Sequence, residues 1–283
     1  MTTAPAPVLL VTCRDWPEGE PGHDALDAAL TARGIASRWV SWDDPDVDWA
    51  AAPLVAVRST WDYVERLEGF LAWAHSVGPA LLNGAAVFSW NTDKGYLLEL
   101  ERAGLPVVPT VVAERPQEVR DAVARFGDSV VKPHVGANGN GVEVVARGSV
   151  WAPAADGHPG PWVVQPLVAS VREEGETSVF VIGGRAVSQV AKRPGPGEIR
   201  VHEHRGGSSR PVPLDPEAVA LALEALATLE RLLGTGIAYG RVDLMRHEGR
   251  LVLSEAELTE PGLYLDVLPG NAVPFAEAVA DRL

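Results

Sequence analysis

Asp128–Val145 reads DSVVKPHVGANGNGVEVV, and the fold turns on how this stretch is understood. Ser129, Val130 and Val131 form a short strand that delivers Lys132. Pro133 cannot continue a central ladder, so the strand stops there. Gly136, Gly139 and Gly141 then fall within six residues, with Asn138 and Asn140 between them. Glycines admit positive φ and close backbone approach, and successive N–H groups can wrap an anion. A lysine ahead of such a loop supplies a point charge for phosphate. The stretch reads as a β-hairpin flap over a phosphate or, more plainly, as a flexible hairpin loop. Its spacing is neither G-x-x-x-x-G-K-[ST] nor a G-x-G-x-x-G that opens a helix. A P-loop and a dinucleotide fingerprint are both disfavoured.

The chain of 283 residues has room for two or three domains. A formal net charge of −14 disfavours nucleic acid as a partner. A phosphate ligand would need a local group of Lys, Arg, glycine N–H and metal. No apolar run approaches the roughly 18 residues of a membrane span, so no membrane partner is expected. MTTAPAPVLLVTC has no basic n-region, and no leader is expected. The single cysteine, Cys13, excludes an internal disulfide framework and fits a reducing, cytoplasmic setting.

Upstream, Val8–Thr12 is a continuous apolar run, read as a buried parallel strand. His23–Arg33 follows as a helix, then strands at Ile35–Ser41, Pro53–Val57 and Pro79–Leu82. That alternation is an open α/β domain, in which ligands bind beyond the carboxyl ends of strands. RSTWDY sits at such an end, from Arg58 to Tyr63. Arg58 could hold a carboxylate in two-point fashion and Asp62 an ammonium, with the Thr60 hydroxyl between them. The alternative is a capped turn with core aromatics and a surface ion pair. Cys13 reads as a buried thiol rather than a reactive one.

Asn91–Ala103 is predicted as one helix, with Lys94 in its first turn, where a cation opposes the dipole. Val107–Val112 reads as a strand and Pro116–Phe126 as a helix with Pro at its first turn. Trp162–Gln165 is a strand that ends at Pro166. Glu176–Gly183 and Arg185–Arg193 form a hairpin turning at Gly183-Gly184. Asp215 caps a long helix that starts at Pro216 and stops at Gly234, with a stripe of Val219, Leu223, Leu226, Leu229 and Leu233.

Near the C-terminus, Ile237–Met245 and Arg250–Glu257 form a hairpin about His247–Gly249. Residues two apart on a strand share a face, so Glu255 and Glu257 project together, with Asp243 alongside. Three such carboxylates repel one another unless a cation lies between them. Mg²⁺ held by carboxylates and nucleotide phosphates is the usual arrangement. Three solvated acids on an exposed strand is the other reading, and the apolar surroundings LVLSEAELTEPGLYL weigh against it.

These elements, in this order, resemble the ATP-grasp superfamily over residues 90 to 265. Within it the chain is similar to the glutathione-synthetase-like and ribosomal-S6-modifying branch. VTC, STWDY, NTDK and ELTEPGLYL most resemble the O-ureidoserine cyclo-ligases, which close the cycloserine ring. One departure is Glu255-x-Glu257, where glutathione synthetases usually have Glu-x-Asn.

The resemblance implies an α/β ATP-grasp fold. Its parts would be an N-terminal substrate-side domain (1–84), a lid (85–165) and a C-terminal domain with the metal site (166–283). It implies ATP and Mg²⁺ as cofactors, with two ions and Mn²⁺ as an alternative. Lys94 and Lys132 would hold the α/β-phosphates under the flap residues Gly136, Asn138, Gly139 and Gly141. Gln165, Pro166, Leu167 and Val168 would meet adenine, and Glu176 the ribose. Asp243, Glu255 and Glu257 would hold metal. Lys132, Lys192 and Arg200 would assist phosphoryl transfer to a carboxylate, which an amine then attacks. Arg200, Arg58, Thr60 and Asp62 would meet a small amino-acid-like substrate. An intermolecular amino-acid or peptide ligase and a non-catalytic nucleotide-binding module remain as alternatives, and homo-oligomerisation is left open.

Overall fold

The computed structural model describes residues 6–155 and 157–283. Residues 1–5, where the leader-free start was read, and residue 156, in the loop 151–161, lie outside the described residues. Val8–Thr12 (β1), Ser37–Ser41 (β2) and Val55–Ser59 (β3) form a parallel sheet in the order β2-β1-β3. β1 and β3 are buried along their whole length, as strands covered on both faces must be. The helix His23–Thr31 buries Leu26, Ala29 and Leu30 at helical spacing. Pro79–Leu82 is not a fourth strand. Gly78–Ala80 makes a 3₁₀ turn, and only Leu81 bridges to Val55. Pro79 lacks the N–H that a ladder requires.

Asn91–Ala103 is likewise not one helix. Ala85–Asn91 and Tyr96–Arg102 are separate helices with a turn between them. In that turn Asp93 Oδ1 accepts from Gly95 N at 2.8 Å, and Lys94 N donates to His134 O at 2.8 Å. Lys94 is thus tied by its backbone to the flap and stands before the helix, so the expected dipole conflict does not arise.

The run Val107–Val112 divides between two sheets. Val108 N donates to Leu253 O at 2.9 Å, and Leu253 N donates to Pro106 O at 2.8 Å. Val111–Ala113 (β4) instead joins Ser129–Pro133 (β5), Glu143–Val145 (β6) and Trp162–Pro166 (β7). Their order is β4-β7-β5-β6, all antiparallel. The helix Pro116–Phe126 lays Val119, Ala122 and Val123 on this sheet. With Val131, Trp151, Trp162 and Val164 they make a small core of their own.

The third sheet has Glu176–Ile182 (β8), Arg185–Arg193 (β9), Ser208–Val212 (β10), Tyr239–His247 (β11) and Arg250–Glu257 (β12). Its order is β10-β9-β8-β11-β12. The helix Pro216–Leu233 packs on it, capped by Asp215, which accepts from Ala218 N at 3.0 Å, and ended by Gly234 at φ 64°. Its buried face is Ala218, Leu221, Ala222, Ala225, Leu226 and Leu229. The expected stripe is therefore shifted toward the alanines, whose small side chains let the helix approach the sheet. One continuous core runs from Val11 and Val57 of the first sheet to Val179, Leu226 and Leu253 of the third. The lid sheet stands outside it. Among the described residues no helix is long and apolar enough to cross a membrane.

Candidate active site

A cavity of about 870 Å³ lies between the lid sheet and the C-terminal sheet. It is lined by Lys94, Lys132, Gly136, Asn138, Gly139, Gln165, Pro166, Leu167, Val168, Glu176, Lys192, Arg200, Asp243, Glu255 and Glu257. Sequence reasoning named all of these. Gly141 is not in the lining. It turns the flap at φ 67°, and a Cβ there would stand 2.8 Å from Pro133 Cγ, so it shapes the loop.

The floor is the β11–β12 hairpin. Its register sets Asp243 opposite Glu255, and Glu257 follows on the same face. Arg241, two residues before Asp243, shares that face too. Its Nε and Nη2 donate to the two Asp243 oxygens at 2.9 Å each, and Nη2 also reaches Glu257. Period-two spacing applied to β11 would have found this arginine. From β9, Lys192 Nζ lies 3.1 Å from Glu176 Oε1 and 3.5 Å from Asp243 Oδ2. Ser178 donates to Asp243 at 2.6 Å. Lys94 Nζ meets Glu255 Oε1 at 2.7 Å.

These neighbours decide the charges. Burial alone would raise the Asp243 carboxyl, but Arg241 and Lys192 hold it well below the usual range. Burial also works against Glu255, where Lys94 and Lys132 prevail and lower it. Glu257 goes the other way. Burial, then Asp243 and Glu255 acting against Arg241, pushes it up to about 7. Burial lowers Lys132, with Glu255 only partly offsetting it.

One His/Asp/Glu triplet among the described residues has its ligand atoms within 4.8 Å of one another: His23, Asp24 and Asp27. It lies on the first helix, where Asp27 already accepts from Trp39 Nε1 at 3.0 Å. Asp243, Glu255 and Glu257 stand wider, drawn apart by Arg241 and Lys94. Their donor chemistry nonetheless fits a hard divalent cation: three cavity-facing carboxylates, one raised to about 7 by burial and by its two acidic neighbours.

Over the floor, the flap is held at several points. Lys94 Nζ donates to Gly136 O at 2.8 Å. Arg205 donates to Asn138 O at 3.2 Å and to Asn140 Oδ1 at 2.6 Å. Arg200 leans on Gly139 O at 3.4 Å and pairs with Glu198. His202 is half-buried beside Gly139. Its Nδ1 is buried without a partner, and burial, with Lys192 nearby, drops it to about 4. At the far end, Val108, Val130, Val168 and Met245 make an apolar slot beside Gln165. The Gln165 side chain is fixed by donating to Thr110 Oγ1 at 3.0 Å.

The expected substrate trio is not in this cavity. Arg58 is fully buried. Its Nη2 donates to Glu20 Oε1 at 2.6 Å and Pro261 O at 2.9 Å, and its guanidinium lies 4.7 Å from the Phe275 ring centroid. Thr60 is buried with an unpartnered hydroxyl. Asp62 accepts from Trp42 Nε1 at 2.9 Å and pairs with Arg66. Arg58 and Asp62 are thus occupied by other protein groups, and Thr60 is closed off from the cavity by burial. Cys13 is buried and pushed up by that burial, as an inert thiol is. The wall that this domain does present to the cavity is Trp16, Glu20, Trp61 and Tyr63. Facing Tyr63 is Glu260, which burial and then Glu257 push up to about 8. Neither Tyr63 nor Glu260 stood out in the sequence as a site residue.

Residues 98–264 match the family model described as "Prokaryotic glutathione synthetase, ATP-grasp domain". Residues 8–83 match "D-cycloserine synthetase DcsG, N-terminal domain". The cycloserine biosynthesis protein DcsG of Streptomyces lavendulae is 32% identical, covering 91% of this chain and 92% of its own. A glutathione synthetase of Prochlorococcus marinus is 27% identical, covering 90% of this chain and 82% of its own. A crystal structure of D-cycloserine synthetase DcsG aligns with a TM-score of 0.86 at 30% identity, covering 97% of this chain and 99% of that one. The chain belongs to the ATP-grasp family, as a ligase of the glutathione-synthetase type with a DcsG-type N-terminal domain, using ATP and a divalent metal to form a C–N bond.

Proposed function

We propose that this bond forms within one small molecule: O-ureidoserine, or a substrate of that shape, is activated at its carboxylate and closed on its own nitrogen to give the cycloserine ring. The observation that carries this reading is the DcsG-type N-terminal domain, which supplies the Trp16, Trp61 and Tyr63 wall of the cavity.

In this reading Lys94 and Lys132 hold the α/β-phosphates, and the amides of the flap close over the β/γ end. Gln165, Pro166, Leu167 and Val168 seat the adenine, and Glu176 meets the ribose. Two Mg²⁺, or Mn²⁺, on Asp243, Glu255 and Glu257 would neutralise phosphate charge when bound. Phosphoryl transfer needs positioning and charge neutralisation more than covalent help, and the chain supplies both through its lysines and arginines. The γ-phosphoryl passes to a carboxylate oxygen. The oxygen-bound nitrogen then attacks the carbonyl carbon, the C–N bond forms, the C–O bond to phosphate breaks, and the nitrogen gives up its proton. The ring nitrogen still carries the carbamoyl group, which water removes as CO₂ and ammonia to leave cycloserine. Lys192, Arg200 and Arg241, which line the cavity, would meet the charge of phosphoryl transfer as it develops.

The test is ADP release with Mg²⁺-ATP against both hands of O-ureidoserine and against amino acids singly and in pairs, with products identified by mass. Single-substrate turnover to a ring supports the proposal. Turnover only with pairs would make this an intermolecular ligase. ATP binding with no turnover would leave a nucleotide-binding module.

A further inference from the structure

Two charged side chains in the cavity interior have no opposite partner among the described residues. Lys132 lies beneath the flap, and Glu260 lies beside the N-terminal wall. Every other interior acid is paired. Glu255 has Lys94, Glu176 has Lys192, and Asp243 and Glu257 share Arg241. Glu260 makes no ion pair: the Tyr63 hydroxyl faces it, and Lys94, already paired with Glu255, acts on it only from farther off. Trp16 and Trp61, which line the same cavity, meet edge to face with centroids 5.3 Å apart. Gly262 lies against Trp61, where an added Cβ would come to 3.7 Å from Cζ2, so no side chain from that turn fills the space.

A half-buried carboxylate without an ion-pair partner calls for one. Aromatic faces in the same cavity favour a compact ammonium. We propose that Glu260, with Trp16, Trp61 and Tyr63, binds the ammonium of the amino-acid substrate. This rests on the reading of a small amino-acid-like substrate given above. In an α-amino acid the ammonium and carboxylate hang on one carbon, so their receptors must be neighbours. Glu260 meets that requirement. It follows Glu257 by three residues, Glu257 is its strongest charged neighbour, and Arg241 holds Glu257. One small molecule can therefore place its carboxylate at the Arg241 floor and its ammonium at Glu260.

The experiment compares wild type, Glu260→Gln and Glu260→Asp with O-ureidoserine and with its des-amino analogue, 3-(ureidooxy)propanoate, as a competitor. Glu260→Gln is expected to raise the O-ureidoserine KM at least 30-fold. The inhibition constant of the analogue should move less than threefold, and ATP affinity should be unchanged. Glu260→Asp, which keeps the charge, recovers part of the loss. An unchanged KM overturns the proposal, and so does an equal loss for substrate and analogue, which would assign Glu260 to the carboxylate or to the fold. If the wild type ignores O-ureidoserine, the cyclo-ligase reading falls while the subsite does not. The same comparison then runs with whichever amino acid drives ADP release and its des-amino counterpart. ADP release driven by no amino acid overturns the subsite as well.

Discussion

Lys94 Nζ lies 2.7 Å from Glu255 Oε1, so the lysine proposed for phosphate and the acid proposed for metal hold each other. The same ammonium donates to Gly136 O, linking the floor of the cavity to its flap. Replacing Glu255 by Gln removes the acid and leaves a neutral group of equal size. We expect turnover to fall roughly 10²-fold or more, the scale of losing one electrostatic contribution to a transition state. The Mg²⁺ concentration for half-maximal rate should rise in the same variant. A Mg²⁺ titration that overlays the wild-type curve would remove Glu255 from the metal site.

Lys132 makes no ion pair among the described residues, and burial lowers its affinity for a proton. An anion beside it would restore that charge. Lys132→Met should weaken ATP binding by about tenfold or more, equivalent to about 1.4 kcal/mol, by calorimetry. Equal affinity in the two proteins would leave Lys132 without a phosphate role.

Arg58→Ala tests the corrected reading of RSTWDY. Removing the guanidinium strands Glu20 as a buried charge, which costs about 3–5 kcal/mol in comparable pairs. Chemical denaturation should show that loss, with the KM for the amino-acid substrate changed little in the folded fraction. Wild-type stability combined with a raised substrate KM would return Arg58 to the site.

The pH dependence of stability should carry a signature of His202. In the unfolded chain a histidine titrates near 6.5, whereas burial beside Lys192 holds His202 to about 4. Between those values the unfolded chain takes up a proton that the fold refuses. Stability therefore falls as pH drops from about 6.5 to about 4 and levels off below. His202→Gln should flatten that interval by an amount on the order of 2 kcal/mol. Parallel curves for the two proteins would show that the ring is solvated.

Arg205 bonds Asn138 O and Asn140 Oδ1 on the flap. Arg205→Ala should speed amide exchange across residues 136–141 about tenfold, in line with about 1–1.5 kcal/mol for such bonds. Exchange confined to the wild-type rate would mean that other contacts fix the flap.

The flap, the carboxylate floor and the capped helix at Asp215 were legible because local rules govern them: glycine spacing, period-two alternation and capping. Arg58 was misread because its partners, Glu20 and Pro261, are distant in the chain and no local pattern announces them. Glu260 was missed because it lies past the end of β12, where alternation no longer assigns a face. Val107–Val112 was read as one strand because an apolar run looks alike whichever sheet it joins. Lys94 was placed in a helix because its backbone bond to His134 lies far from it in sequence.

Val107 bridges Leu253, and Leu253 precedes Glu255 by two residues on the same strand. The lid therefore takes its bearing from the strand that carries the acid floor. It is joined to that strand through residues 106–108, and its last strand ends at Pro166. A lid of another specificity could be grafted between those points. The graft would keep the alignment of flap and carboxylate floor only if the Val107–Leu253 pairing were carried across unchanged.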